Sequence, residues 1–288
     1  MKKCIFLLGL LFIVSSCTYD LIQEITFHED HTFDVKYTMD LSKSLQTEHK
    51  EMVISMVNGM IYSFINMIMD TISVDEDIIS YEDFENIGTV NPVNYSVCLD
   101  TILLIQHDSI ALGIRQFDSL HVLTEDEIQR LSGFIYEFAK KATVTFVSDI
   151  SNQRMYIEFY FPDIRWDTLK ETRIDEIYEK MVEESVIDNY EETLDQFRFS
   201  WDENRIVLGD FNLLDKGSNE NNKIPSLEDV EKNSNIIIIH HFPGKVKKSV
   251  NSLYKKRDKG RTLIFNRTVY DISNKNLSGA NEIIYLVK

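Results

Sequence analysis

A β-hairpin followed by a helix occurs twice in this sequence, and that pattern constrains the fold more than any other feature. The first unit contains a strand at Leu21–Phe27, a polar turn and a second strand at Thr32–Met39. Every other side chain of the second strand is apolar, which is typical of a strand with one buried face. Asp40 follows at the position of a helix N-cap, before a long helix predicted from about Ser42 to Met69.

The second unit repeats this order later in the chain. Strands are predicted at Ala142–Val147 and Arg154–Phe161, and Pro162-Asp163 is predicted to open a helix. Between the two units, Thr124 and Glu127 have the spacing of a capping box at the start of a further helix. We interpret the two units as a degenerate ββα repeat, with chance similarity between two amphipathic hairpins as the alternative.

Three further stretches complete the predicted elements. A third hairpin covers Phe197–Gly209, and strands are predicted at Asn235–Phe242, Arg261–Tyr270 and Glu282–Val287. Together these elements predict an α+β fold, in which an antiparallel sheet built from hairpins carries helices packed on one face.

The composition indicates a folded, acidic protein without recognisable catalytic motifs. Hydrophobic residues make up 43% of the 288 residues, which excludes intrinsic disorder. The 47 acidic residues outnumber the 30 basic ones, which argues against nucleic acid as a partner. Because no G-x-S-x-G motif, paired CxxC or P-loop occurs, we predict no catalytic residue, no cofactor and no enzymatic activity. Paired carboxylates that hydrolyse envelope polymers are the low-ranked alternative.

The first 17 residues contain a cationic, an apolar and a small-residue segment in that order. Two lysines precede the apolar stretch Ile5–Val14, which is too short to span a bilayer as a mature helix. Val14-Ser15-Ser16-Cys17 resembles a lipobox. The resemblance implies that residues 1–16 are a cleaved signal peptide and that Cys17 carries diacylglycerol and a palmitate-type acyl chain. An ordinary secretory signal with an incidental cysteine is the alternative.

The residues after Cys17 give the predicted location. Thr18 rather than an aspartate follows Cys17, which favours the outer membrane under Gram-negative sorting. Asp20 is the only acidic residue close to the anchor. This is a poor match to the acidic tether that marks surface-exposed lipoproteins of the Bacteroidota, so we expect the protein to face the periplasm rather than the cell surface. After cleavage Cys98 is the only other cysteine, and we expect it to be a buried apolar side chain.

Charge divides the chain into segments. Residues 17–235 carry 17 basic and 44 acidic side chains, whereas residues 236–288 carry 11 basic and three acidic ones. We therefore predict an acidic domain at 17–212, a polar linker at 213–235 and a basic, β-rich segment at 236–288. A dense basic cluster marks the last segment: Lys245, Lys247, Lys248, Lys255, Lys256, Arg257, Lys259 and Arg261. It either neutralises the acidic domain or binds anionic lipid, lipopolysaccharide or an acidic protein.

The stretch Met52–Met69 contains 18 residues without a charge. Polar residues recur along it at three- to four-residue spacing, which favours an amphipathic core helix over a membrane span. A Met-rich groove for a lipid or a partner is the alternative.

Histidines and short acidic motifs supply the remaining candidate sites. The turn His28–His31 could hold a metal ion but lacks a third ligand, so no metal site is predicted. His240 and His241 lie on an apolar strand, where we expect one core and one surface side chain.

Asp-(Ser/Thr)-aliphatic tripeptides resemble the O-glycosylation motif of Bacteroidota and imply exposed hydroxyls at these residues: Thr71, Thr101, Ser109, Ser119 and Thr168.

Both ends of the chain resemble known lipoproteins. The order Cys17, strand, acidic turn, strand and Met39-Asp40-Leu41-Ser42 is similar to uncharacterised Bacteroidota outer-membrane lipoproteins. Phe242-Pro243-Gly244-Lys245-Val246, followed by a charged turn and a strand, resembles the LppM-type lipoprotein domain. The resemblance implies a membrane-tethered binding or assembly module with an envelope protein as partner. Carriage of a lipid or other apolar ligand is the second hypothesis.

Overall fold

A computed structural model describes most of the folded chain. It covers residues 18–47, 50–55, 57–59, 93–98, 107–118, 121–168, 173, 176–177, 180, 199–202, 205–208, 225–249, 253–274 and 281–285. The strands are β1 (Asp20–Phe27), β2 (Thr32–Asp40), β3 (Val93–Cys98), β4 (Thr143–Asp149), β5 (Arg154–Arg165), β6 (Phe199–Asp202), β7 (Arg205–Leu208), β8 (Asn235–His241), β9 (Val246–Ser249), β10 (Lys255–Arg257), β11 (Thr262–Thr268) and β12 (Asn281–Tyr285). The α-helices with defined ends are α1 (His107–Phe117), α2 (Glu125–Lys141), α3 (Pro225–Asn233) and α4 (Val269–Asn274), and short 3₁₀ helices cover Ser42–Gln46 and Asp258–Gly260.

The strands form a large sheet and a small one. The main sheet has eight strands in the order β10-β11-β8-β1-β2-β5-β4-β3, and the second has four in the order β6-β7-β12-β9. Neighbouring strands are antiparallel except for β1 and β8, which run parallel. The predicted α+β fold is therefore confirmed. The two predicted hairpins, β1-β2 and β4-β5, both form, and β2 pairs with β5 between them.

One face of the main sheet carries the core. Phe27 of β1 stacks on Phe242 with ring centroids 5.4 Å apart and meets Trp201 of the second sheet edge-on at 5.1 Å. Phe138 of α2 stacks on Phe161 of β5 at 4.6 Å. These aromatic residues belong to one hydrophobic cluster, so helix α2 and the second sheet pack against the same face.

On the opposite face of the main sheet, which we call the polar face, charged side chains lie beside an aliphatic patch, since side chains alternate between the two faces of a strand. The patch contains Ile22, Ile237, Ile239 and Ile264. Glu24 of β1 pairs with Lys36 at 2.6 Å and with the Nε2 of His241 at 2.8 Å. Burial alone would raise the pKa of Glu24, but the hydrogen bonds from Lys36 and His241 outweigh it and lower the pKa.

The start of the helix predicted at Pro162 is wrong, because β5 continues to Arg165. Phe33 pairs with Ile164 and Val35 with Phe161, so Pro162 and Asp163 together lie opposite Asp34. This two-against-one pairing is a β-bulge. The backbone N–H of Asp163 donates to the Asp34 carboxylate at 2.9 Å, and Pro162 has no N–H to leave unpaired.

Three other local predictions need correction. Residues 225–233 of the predicted flexible linker form helix α3, while residues 213–224 lie outside the described residues. The strand predicted to reach Tyr270 ends at Thr268, where α4 begins. The N-cap of the first 3₁₀ helix is Leu41 rather than Asp40, although the Asp40 carboxylate accepts a hydrogen bond from the Ser42 N–H at 2.9 Å.

The Met52–Met69 stretch is described only in part. Residues 50–55 and 57–59 are helical, with Val53 and Val57 fully buried and Met52 exposed. Asn58, which the sequence placed on a polar stripe, is buried as well. Within the described part of the chain, no helix is long and apolar enough to cross a membrane.

Candidate functional site

The described part of the chain begins at Thr18, and Cys17 directly before it lies outside the described residues. The Ser44 hydroxyl donates to the carbonyl oxygen of Thr18 at 2.6 Å. The backbone N–H of Tyr19 donates to the Ser234 hydroxyl, and the N–H of Asn235 donates to the Tyr19 carbonyl, both at 3.1 Å. These bonds hold residues 18 and 19 against the start of β1 and β8, and Thr18 directly follows the predicted lipid anchor in the sequence.

Asp20 holds together the end of the sheet where β1 starts, which we call the anchor end. Its carboxylate accepts hydrogen bonds from the Lys43 ammonium at 2.6 Å and from the backbone and side-chain amides of Asn235 at 3.1 and 2.8 Å. The Lys43 ammonium also donates to the carbonyl oxygen of Asn233. This carboxylate therefore ties β1, the first 3₁₀ helix and the start of β8 to one another.

The eight predicted basic residues, which we call the basic surface, lie around strands β9 and β10 and the turn after β10. All eight are exposed: Lys245, Lys247, Lys248, Lys255, Lys256, Arg257, Lys259 and Arg261. β10 is an edge strand of the main sheet and β9 is an edge strand of the second sheet. A pair of short edge strands thus presents a dense positive charge to solvent, a common means of protecting strand edges from pairing.

A tight turn holds the tip of the basic surface. Asp258, Lys259 and Gly260 all have positive φ, and the N–H of Arg261 donates to the Asp258 carbonyl at 3.1 Å. The Thr262 hydroxyl donates to the Asp258 carboxylate at 2.6 Å. The φ of Gly260 is +89°, a conformation that L side chains rarely adopt. This geometry fixes the backbone beneath Lys259 and Arg261.

The cations of the basic surface differ from Lys36, Lys43 and Lys180, which lie against carboxylates, and they differ from isolated exposed cations such as Lys50 and Arg165 in being clustered. Among the described residues, none of the eight forms an ion pair, and the ammonium of Lys256 donates only to the carbonyl oxygen of Val246 at 3.4 Å. In contrast, Lys36 pairs with Glu24 at 2.6 Å, and Lys180 pairs with Glu127 at 2.9 Å. The Thr124 backbone hydrogen bond, with help from Lys180, lowers the pKa of Glu127 to about 2.

The two adjacent histidines have the predicted division between core and surface. His240 is 3% exposed among Phe27, Phe242 and Tyr254, and its Nδ1 has no hydrogen-bond partner among the described residues. Burial lowers the pKa of His240 to about 3. His241 is half-buried on the polar face, between Glu24 and the hydroxyl of Thr262.

The His28–His31 turn uses its side chains for structure. His28 lies 3.1 Å from the Asp34 carboxylate, and His31 stacks on Trp201 at 5.0 Å. The Asp30 carboxylate accepts hydrogen bonds from the N–H and the hydroxyl of Thr32. Among the described residues, no three His, Cys, Asp or Glu side chains cluster closely enough to hold a metal ion.

Three carboxylates have structural roles that the sequence did not indicate. Asp20 joins the anchor end, and Asp34 accepts from the bulge amide of Asp163 and from the Tyr160 hydroxyl. Asp118 is 1% exposed and accepts the N–H groups of Val122 and Leu123, both at 2.9 Å. The capping box predicted at Thr124 and Glu127 is confirmed, and the acidic Asp118 six residues before Thr124 is the one sequence feature that could have pointed to this role.

The predicted modification sites are only partly described. Thr71, Thr101 and Ser119 lie outside the described residues; Ser109 lies within helix α1, and Thr168 is exposed. Cys98, the remaining cysteine, is half-buried, and its thiol donates to the Lys140 carbonyl at 3.3 Å. Lipidation of Cys17 and glycosylation of these hydroxyls stay predictions.

Comparison with models of known protein families gives no match, and comparison with curated proteins gives none either. Among solved structures, the chain is similar to the NMR structure of the folded domain of Mycobacterium tuberculosis LppM. The two are 7% identical, with a TM-score of 0.33 over 95% of this chain and 93% of the other. The similarity is weak, so the proposals below rest on this chain's own residues. The Bacteroidota origin stays a prediction.

Proposed function

We propose that this protein is a lipid-anchored, non-enzymatic envelope protein whose basic surface binds an acidic partner. The observation that carries this proposal is the absence of ion pairs from the eight basic residues within the described part of the chain. A neutralising segment would place these cations against carboxylates, as Lys36 and Lys43 are placed. The lipid at Cys17, the outer membrane and the periplasmic face are parts of the same proposal.

The electrostatics favour a partner of opposite charge. Eight cations occur within residues 245–261, and Asp258 is the only acidic residue in that range. The Asp258 carboxylate is already engaged by Thr262. Because like charges at this density repel one another, an anionic surface that approaches them gains attraction and speeds association.

Charge reversal with a matched control tests the proposal. The first variant changes Lys255, Arg257, Lys259 and Arg261 to Glu, and poly-L-glutamate serves as the acidic probe for the detergent-solubilised lipoprotein. We expect affinity to fall by about tenfold or more and the salt dependence of binding to disappear.

The control variant reverses four exposed cations outside the basic surface, and therefore changes net charge equally: Lys50, Lys140, Arg154 and Arg165. It should keep most of the affinity, because the local arrangement rather than the net charge binds the probe. Equal loss in both variants, or no binding by the unmodified protein, would contradict the proposed function.

A further inference from the structure

The lipid anchor and the basic surface are separated along the strands of the main sheet. β1 starts at Asp20 beside the anchor, and its residue Thr26 pairs with His241 of β8. His241 pairs in turn with Thr262 of β11, which directly follows the basic turn. Thr26 is six residue steps from Asp20 along β1, so at about 3.3 Å per step the tip of the basic surface lies roughly 20 Å from the anchor end. Lys255 pairs with Ile264 and so lies level with Glu24, four steps or roughly 13 Å from Asp20.

The link between the lipid and the folded protein is too short to let the basic surface reach the bilayer across this distance. Adjacent Cα atoms lie about 3.8 Å apart, so a lipid on Cys17 is one peptide from the fixed residue Thr18. The Ser44 hydroxyl holds the Thr18 carbonyl, and Tyr19 is hydrogen-bonded to both Ser234 and Asn235. The separation of the tip exceeds twice the Debye length of about 8 Å at physiological ionic strength, and that of Lys255 exceeds it once, so the charges of the basic surface are screened from headgroups at the anchor end.

The cations nearest the anchor have partners within the protein. Lys43 is bound by Asp20, and the ammonium of Lys232 lies 5.1 Å from the centre of the Tyr270 ring. Tilting the sheet onto its polar face would bring the carboxylates of Asp34 and Glu158 towards anionic headgroups. Among the described residues near the anchor, these contacts engage the cations that could otherwise attract the headgroups.

We infer that the anchored protein presents the basic surface away from its own membrane, to an acidic protein in the aqueous compartment, rather than to the headgroups beside its anchor. This inference rests on the proposed function and names the class of partner for the same surface. It makes the sheet a rigid spacer between the lipid and the binding surface.

Two fluorescent labels on the full lipoprotein test the orientation. Two variants are made in a Cys98→Ser background, each with one labelled cysteine. Asn233→Cys places the label beside Ser234 at the anchor end, and Lys259→Cys places it at the basic tip. The protein is reconstituted in vesicles of phosphatidylethanolamine and phosphatidylglycerol that contain a headgroup-linked quencher. We expect the label at residue 233 to be quenched and the label at residue 259 to keep its detergent-state intensity.

Binding of poly-L-glutamate to the same vesicles separates this inference from the proposed function. We expect the vesicle-anchored protein to bind the probe as tightly as the detergent-solubilised protein does. Quenching at residue 259, or binding in detergent that is lost on vesicles, would overturn the orientation while leaving the proposed function intact. Absence of binding in both states would overturn the proposed function, whatever the quenching result.

Discussion

The two ends of the main sheet treat charged groups in opposite ways. At the anchor end, Asp20 and Lys43 neutralise each other, and the amide groups of Asn235 complete the network. At the other end, Lys259 and Arg261 extend from a rigid turn and pair with no carboxylate among the described residues. Polar groups of the first kind hold the fold together, whereas cations of the second kind are available to a partner.

The largest expected effect is the loss of the anchor. Cys17→Ala should move the protein completely from the membrane fraction to the soluble fraction, because the described helices offer no membrane span to replace the lipid. Metabolic labelling with an acyl analogue followed by fractionation measures this. Cys98→Ala is the control and should stay labelled and membrane-bound. Unmodified protein that takes up no acyl analogue would refute lipidation.

Removal of the central carboxylate of the anchor end should cost stability. Asp20→Ala removes the carboxylate that Lys43 and the Asn235 side-chain amide share, although Lys43 keeps the Asn233 carbonyl and the Asn235 N–H keeps the Tyr19 carbonyl. It should lower the free energy of unfolding by about 1 to 3 kcal/mol. Urea denaturation measures the change. Lys259→Ala, at the other end, should change stability by less than about 0.5 kcal/mol. Comparable losses of unfolding free energy in Asp20→Ala and Lys259→Ala would contradict the proposed difference between the two ends of the sheet.

The buried His240 should make stability depend on pH. Its pKa is about 3 in the folded protein, against about 6.5 in an unfolded chain. The unfolded chain therefore takes up a proton below about pH 6.5 while the folded protein does not. Stability is fully present above that pH and falls progressively towards pH 3, by about 2 kcal/mol at pH 5.

Histidine variants isolate this contribution. His240→Phe should flatten the decline in stability between pH 6.5 and 5, measured by denaturation at each pH. His121 is exposed, so His121→Gln should leave the decline in place. A decline that is as steep in His240→Phe as in the unmodified protein would show that this buried ring is not its origin.

The smallest expected effect concerns the turn beneath the basic tip. Gly260→Ala should cost about 1 kcal/mol, because φ is +89° there and L residues are strained in that region. Gly113→Ala is a matched control within helix α1, where an added Cβ meets nothing within 4 Å. That variant should instead stabilise the protein by about 0.5 to 1 kcal/mol. Thermal melts distinguish the two signs, and the same sign in both would contradict the turn geometry.

Local patterns predicted much of this fold. Alternating apolar residues identified the β1-β2 and β4-β5 hairpins, and Thr124 and Glu127 identified the start of α2. These features depend on residues close together in the chain, so the sequence shows them directly. The density of cations in residues 245–261 was visible for the same reason.

Long-range pairing could not be predicted in this way. β1 and β8 are parallel neighbours although Asp20 and Asn235 lie 215 residues apart. The helix predicted to open at Pro162 begins only at Trp166, because β5 continues through a bulge in which the Asp163 N–H donates to Asp34, 129 residues away. The separation of the anchor from the basic surface depends on the β1-β8 pairing, so it too emerges only from the structure.

The measurement that tests the central contrast most directly is lysine labelling with an amine-reactive reagent, read by mass spectrometry, on the lipoprotein in vesicles without a partner. We predict fast labelling of Lys247, Lys248, Lys255 and Lys259, and slow labelling of Lys36 and Lys43, whose ammonium groups are paired. The fast set should react equally in detergent and on vesicles. Protection of that set on vesicles, or reaction as slow as that of Lys43, would contradict the account.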